Sequence, residues 1–300
     1  MTAGLAFAAR HGRVLLILGL VAGIGLPGLA QTLRPWLPAL IVALLYVSAL
    51  RIGPAALGAV GVRGRTLALT LAYQVALPLA LAAAFAGSGL GLTPLAAAVL
   101  LVTAAPPITG APTLAILAGH DPAPAMRLLI AGTALLPLTA LPVFALTGAG
   151  EAAQSLVLPS LRLTAVILAA TAAAWATRRW LLPAPATAPL DGASAILMAC
   201  VVVGLMSAVG PALAEAPERL AIWLAAAFAV NLGLQLGAAL LFRTSLDRVP
   251  LAISAGNRNI ALFLVALPPE RTDALLLFIG CYQIPMYLTP LLWAAVKRLS

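Results

Sequence analysis

The residues of this sequence best suited to polar chemistry lie within residues 253–268, ISAGNRNIALFLVALP. Gly256, Asn257, Arg258 and Asn259 interrupt a stretch that is otherwise apolar. A guanidinium has five N–H donors and does not deprotonate in a protein, so Arg258 can hold carbonyl oxygens or an anion but cannot relay a proton. Arg258 stands about ten residues from either end of its apolar segment, which argues against a side chain that reaches a membrane surface.

A second interruption lies about half a chain away, in APPITGAPT at residues 105–113. Its three prolines, among them Pro112, each remove a backbone donor and clash with the preceding turn, so no continuous helix is expected there. Broken backbone is tolerated at membrane depth only where it is buried in protein or lines a wet cavity. We expect Thr109 to lie where the two broken helices cross. The alternative is a pair of unrelated proline and glycine kinks. We expect Gln74 to face the cavity, the alternative being an amide that joins neighbouring helices.

The elements that must position these residues are long apolar helices. The 300-residue chain is 63% hydrophobic and 8% charged, with a mean hydropathy of +1.10, whereas a soluble domain carries about 25% charged residues. The apolar runs are continuous and long enough to cross a bilayer as helices, and they lack the period-two alternation of a membrane β-barrel. We therefore predict an all-α polytopic membrane protein without a soluble domain.

Ten apolar segments are predicted to cross the membrane. Their approximate bounds are 14–31, 36–51, 65–87, 92–119, 123–148, 157–180, 191–210, 219–242, 249–267 and 273–296. The two interruptions fall in the fourth segment of each half. Because each half holds an odd number of segments, the pattern predicts two inverted five-helix repeats, 1–148 and 149–300, whose broken fourth and ninth helices cross at the midplane.

The distribution of basic residues predicts the orientation. With ten spans, 12 of the Lys and Arg residues fall on the side of the two termini and 4 on the other, and Arg258 is the one left inside a span. Cytoplasmic loops are rich in Lys and Arg, so both termini are predicted to be cytoplasmic, in the cell's inner membrane. The net charge of +9 is then explained by basic residues in the cytoplasmic loops and does not indicate a nucleic-acid-binding surface. Residues 1–30 resemble a signal peptide, but the charge distribution favours a retained first helix.

Ten spans, a Pro/Gly-rich break in the fourth and a Gly-x-x-Asn break in the ninth resemble the bile acid:sodium symporter family over nearly the whole chain. The most specific match is Gly256, Asn259 and the apolar tail Ile260–Leu267. The resemblance implies the fold of the apical sodium-dependent bile acid transporter. In that fold helices 1, 2, 6 and 7 form a panel, helices 3, 4, 5, 8, 9 and 10 form a core, and the substrate cavity lies between them.

The family's sodium-binding residues are replaced in this sequence. The replaced positions are Ser254 for a glutamate, Arg258 for a glutamine, Ala111 and Pro112 for a Ser-Asn pair, and Ala125 and Leu129 for two hydroxyl residues. Gln74 corresponds to a remaining glutamine ligand. Sodium needs a shell of oxygen ligands, so we expect no metal site here. We hypothesise instead that Arg258 acts as a tethered cation, which braces the crossing by donating to backbone carbonyls and attracts an anionic substrate.

The predicted function is a secondary transporter of a small organic anion or amphipath, with alternating access and without sodium coupling in the family's manner. An auxin-carrier-like exporter and a sodium-coupled organic anion symporter are the alternatives. A cation/proton antiporter is disfavoured because all eight acids fall at loop positions. We expect no enzyme and no cofactor, since His11 and His120 lack partners at ligand spacing. The expected partners are the lipid bilayer and the substrate, and the oligomeric state is left open.

Overall fold

The computed structural model describes residues 2–60, 64–89, 91–147, 153–182 and 187–299. Within these ranges the chain is almost entirely helical and contains no β-strand. An isolated antiparallel bridge joins Pro107 and Arg258. The prediction of an all-α protein is therefore confirmed.

The α-helices follow one another with short connections, and they are numbered here in chain order. The first ten are α1 (Thr2–Arg10), α2 (Gly12–Gly25), α3 (Pro27–Leu33), α4 (Leu37–Val60), α5 (Gly64–Leu71), α6 (Leu77–Gly87), α7 (Pro94–Ala104), α8 (Ala111–Leu117), α9 (Ala123–Thr139) and α10 (Leu141–Thr147). The remaining ones are α11 (Ala153–Trp180), α12 (Thr187–Leu205), α13 (Val209–Glu215), α14 (Pro217–Leu241), α15 (Arg248–Gly256), α16 (Phe263–Ala266) and α17 (Pro269–Leu299).

Several of these helices are long and apolar enough to cross a membrane. Five stretches of the described residues meet both conditions: Pro27–Gly53, Gly64–Gly87, Val157–Trp180, Ala188–Glu215 and Pro217–Leu241. Two bent pairs, α1 with α2 and α9 with α10, raise the number to seven if each pair is one span. The chain is thus a helical protein with several helices that can span a membrane, while the number of ten remains a prediction.

The boundary predicted between the first two spans was wrong. The prediction placed it between residues 31 and 36, but the helix breaks at Leu26, and a candidate span runs without interruption from Pro27 to Gly53. Pro27 starts α3, where its missing N–H costs no hydrogen bond. A short 3-10 turn at Arg34–Trp36 accommodates the next proline and joins α3 to α4.

The chain divides into two compact units. The first unit comprises Met1–Gly61, Thr164–Leu220 and Leu267–Gly280. Within it α12 packs against α1, α2, α3 and α4. Gly53 bends α4 through its positive φ of 69°, and the Arg178 guanidinium caps the bend by donating to the Leu50 carbonyl at 2.7 Å.

The second unit comprises Val62–Leu163, Ala221–Ala266 and Cys281–Ser300, and it contains both predicted helix breaks. Within it α15 packs against α8 and α9, and α5 packs against α9. A π-helical turn at Ala72–Ala76 joins α5 to α6. Such a turn places consecutive side chains differently from a regular helix and is frequent at functional sites.

Candidate binding site at the paired helix breaks

Two interrupted helices of the second unit lie side by side at their breaks. We call residues 105–110 and 257–259 the paired breaks. Helix α7 ends at Ala104 before the first break, and helix α15 ends at Gly256 before the second. The Ile108 N–H donates to the Asn257 carbonyl at 2.9 Å, and the Asn259 N–H donates to the Pro106 carbonyl at 2.8 Å. Two N–H groups and two carbonyl groups that the breaks release from helices therefore satisfy each other.

The Arg258 side chain is enclosed by protein, with only 1% of its surface exposed. Its Nε donates to the Ala255 carbonyl at 2.7 Å and its Nη1 donates to the Ala105 carbonyl at 2.9 Å. Ala105 caps the C-terminal end of α7, and Ala255 lies in the last turn of α15. This burial excludes the alternative in which the side chain extends to a membrane surface.

The directions of α7 and α15 determine the partial charge that surrounds the Arg258 guanidinium. The C-terminal end of a helix carries partial negative charge on carbonyl groups that have no partner within the helix. Both α7 and α15 direct such an end at Arg258, and the guanidinium donates to one carbonyl at each end. The aromatic face of Tyr73 lies 4.9 Å from the guanidinium carbon and adds a cation–π contact.

Gln74 holds two helices of the second unit together. Its Nε2 donates to the Gly132 carbonyl at 3.2 Å, and the Thr139 hydroxyl donates to its Oε1 at 3.0 Å. A Cβ at Gly132 would lie 2.8 Å from Gln74 Nε2 and 3.1 Å from Pro106 Cβ, so a larger residue would displace the Gln74 amide from its hydrogen bonds. Gln74 lines a small cavity beside Arg258, and its amide is engaged by Gly132 and Thr139.

A buried polar network supports the second break from the side of α14 and α17. Asn231 Nδ2 and the Tyr282 hydroxyl both donate to the Gly256 carbonyl, each at 2.6 Å. The Thr289 hydroxyl donates to Asn257 Oδ1 at 3.0 Å. A Cβ at Gly256 would collide with the Gln235 side chain and the Asn231 carbonyl, which explains the glycine.

Sequence reasoning missed three members of this network. Gln235 donates to Asn231 Oδ1 at 2.7 Å and to the Thr289 hydroxyl at 3.1 Å, and Trp293 Nε1 donates to Gln235 Oε1 at 2.8 Å. A signal for them was present in the sequence, because Asn231 and Gln235 are one helical turn apart and share a helix face. Thr289 and Trp293 are spaced in the same way on α17.

The remaining predicted site residues lie at or beside the paired breaks. Asn259 pairs through its backbone, and its side chain is half-buried. Thr109 lies in the first break and is also half-buried, whereas Pro112 is buried in the first turn of α8. Ser254 is fully buried and donates to the Pro250 carbonyl of its own helix at 2.8 Å.

Four of the positions matched to sodium ligands, Ala111, Pro112, Ala125 and Leu129, carry apolar side chains and are buried. Ala111, Ala125 and Ile253 belong to one buried hydrophobic cluster, and Leu129 is also buried. These four positions therefore supply no side-chain oxygen atom, whereas Gln74 keeps its amide oxygen, which accepts from the Thr139 hydroxyl. Among the described residues, no group of three or more His, Cys, Asp or Glu side chains could hold a metal ion.

No protein-family model matches the sequence, and no curated protein matches it. The resemblance to the bile acid:sodium symporter family therefore stays a prediction that rests on the pattern of spans and on the two breaks.

Proposed function

We propose that this protein is a secondary transporter of a small organic anion or amphipath that works by alternating access. The observation that carries the proposal is the pair of helix breaks held together by Arg258 within one compact unit. Broken helices whose ends converge are the usual way in which transporters place ion and substrate sites inside the bilayer. In the proposal the ten predicted spans form two inverted repeats, and the paired breaks lie at the midplane.

The division of the chain supports the proposal. The first unit contains predicted spans 1, 2 and 7 and most of span 6, and the second unit contains spans 3, 4 and 5 and most of spans 8, 9 and 10. The beginning of span 10, residues 273–280, lies in the first unit. In the proposal the first unit is the panel and the second unit is the core. The protein would lie in the inner membrane with both termini cytoplasmic, as the distribution of basic residues predicts.

Arg258 takes over, in this proposal, the part that a bound cation has in sodium-coupled relatives. Its guanidinium neutralises two helix ends that would otherwise direct partial negative charge at each other. A covalently attached cation is present in every state of the transport cycle, so it cannot be coupled to an ion gradient. We therefore propose transport without sodium coupling.

The test is transport by the purified full-length protein in liposomes. Uptake of radiolabelled small organic anions would be measured with a sodium gradient, with potassium in place of sodium, and with a proton gradient. We expect uptake that does not respond to sodium, and Arg258→Gln should reduce it at least tenfold. The exposed Arg243 gives the matched control Arg243→Gln, which should transport like the parent protein. Measuring flux in both directions separates an importer from an auxin-carrier-like exporter.

A double variant tests the tethered-cation idea directly. Ser254→Glu with Arg258→Gln restores the two family residues in place of the hydroxyl and the guanidinium. The variant should be unstable without sodium or should gain a sodium-dependent stabilisation that the parent protein lacks. A parent protein that requires sodium for uptake, or a double variant indifferent to sodium, would contradict the proposal.

A further inference from the structure

A small chamber lies beside Arg258 within the second unit. Its volume is about 10 Å³, which corresponds to roughly one water-sized sphere. The polar residues that line it are Thr70, Tyr73, Gln74 and Arg258, and the others are Pro107, Leu128 and Gly132. The π-helical turn matters here, because it lets the neighbouring residues Tyr73 and Gln74 both line the chamber.

Three hydrogen-bonding atoms of the chamber residues have no protein partner. They are Arg258 Nη2, the Tyr73 hydroxyl and the Thr70 hydroxyl, and all three are buried atoms. Each can donate a hydrogen bond, and the guanidinium nitrogen can only donate. Gln74, in contrast, has its amide engaged by Gly132 and Thr139. The residues that line the chamber therefore carry three buried donors that are free to bind an occupant.

The charge of Arg258 is not balanced by a carboxylate. Among the residues that the structure describes, the ion pairs join Arg34 to Asp273, Arg51 to Asp191 and Arg65 to Asp247, and none includes Arg258. A buried cation that meets only carbonyl dipoles and an aromatic ring retains a strong attraction for an anion. Three unpartnered donors and an unbalanced positive charge together favour a negatively charged acceptor over a neutral one.

We propose that this chamber is a binding site for one compact monovalent anion, held by Arg258 Nη2 and the Thr70 and Tyr73 hydroxyls. The size of the chamber limits the bound group to a single ion or to one oxygen atom of a carboxylate. The anion can come from two sources, a free halide or the carboxylate of a small organic acid. The second source rests on the proposed transport function, and the first does not.

The experiment is thermal unfolding of the purified full-length protein in detergent. Chloride is titrated against gluconate at constant ionic strength, and formate is titrated in the same way as the smallest carboxylate. Binding to the folded state alone raises Tm with a saturable dependence on the anion concentration. The measurement does not need transport, so its failure and the failure of the transporter proposal can be told apart.

Two isosteric variants remove the hydroxyl donors and leave the guanidinium bonds to Ala105 and Ala255 intact. Thr70→Val and Tyr73→Phe should each weaken the apparent anion Kd about tenfold, since each deletes one hydrogen bond to a charged group. Tyr73→Phe keeps the ring that faces Arg258. Thr66→Val is the matched control, because Thr66 is buried on the same helix but does not line the chamber.

The outcomes distinguish a free halide from an organic carboxylate, and two of them would refute the anion site. A chloride effect that depends on Thr70 and Tyr73 assigns the site to free halide, and the same dependence with formate alone assigns it to an organic carboxylate. If neither anion stabilises the protein saturably, the chamber holds only solvent and the proposal is overturned. It is also overturned if the anion effect is the same in both variants as in the parent protein.

Discussion

Replacement of Arg258 by methionine tests whether the guanidinium holds the two broken helices together. Methionine fills a similar volume and removes both donors, so the carbonyl groups of Ala105 and Ala255 lose their partners. Both residues are fully buried, and an unsatisfied buried acceptor costs about 1–3 kcal/mol. Loss of the cation–π contact with Tyr73 adds about 0.5–2 kcal/mol.

The cost of burying the charge of Arg258 reduces the destabilisation expected from these losses. A buried charge is costly, and its replacement by an apolar side chain of similar size is often neutral or stabilising. If the guanidinium braces the breaks, the loss at the two carbonyl groups outweighs this gain, and we expect a net destabilisation of about 2–4 kcal/mol. Arg258→Lys should lie between the parent protein and the methionine variant, because a single ammonium has no planar fork to reach both carbonyl groups.

The assay is equilibrium or thermal unfolding of the full-length protein in detergent, followed by circular dichroism. A loss of this size should lower Tm by about 3–6 °C for a chain of 300 residues. Arg243→Met is the control on an exposed arginine, and it should change Tm little. If Arg258→Met is as stable as the parent protein, the guanidinium does not brace the breaks and the reasoning fails.

Three further substitutions test the packing around the site and the bend in the first unit, each by thermal unfolding. Gly132→Ala should destabilise the protein by about 1–3 kcal/mol, because the new Cβ lies 2.8 Å from the Gln74 amide nitrogen. Its control is Gly233→Ala, at an exposed helical position with open space around it, which should stabilise the protein by about 0.5–1 kcal/mol. Thr289→Val leaves two buried amide side chains without a hydroxyl partner and should cost about 1–3 kcal/mol, while Thr244→Val on the surface should be close to neutral. Gly53→Ala should cost more than 1 kcal/mol, because a φ of 69° disfavours a side chain and the Arg178 guanidinium occupies the space. A neutral result at Gly132, Thr289 or Gly53 would contradict the packing described for that residue.

Local sequence features were sufficient to predict where most helices lie and where two of them break. An apolar run long enough to span a bilayer forms a helix, and the prolines and glycine of residues 105–110 interrupt one. Both effects depend only on neighbouring residues in the sequence. The break at residues 257–259 was predicted on the same basis. The error at Pro27 also has a local cause, since a proline at the first position of a helix starts it and does not end it.

The tertiary structure decided which groups meet. Nothing in the spacing of residues indicates that the Asn259 N–H pairs with the Pro106 carbonyl, or that Arg258 reaches the Ala105 carbonyl 153 positions away. Those contacts depend on the packing of α7, α9 and α15, and on the close approach that Gly132 permits. Periodicity reports which face of a helix is apolar, but the partner of a buried donor is set by helices distant in sequence. For that reason the sequence predicted the buried cation, while only the folded structure showed its two carbonyl partners and the chamber beside it.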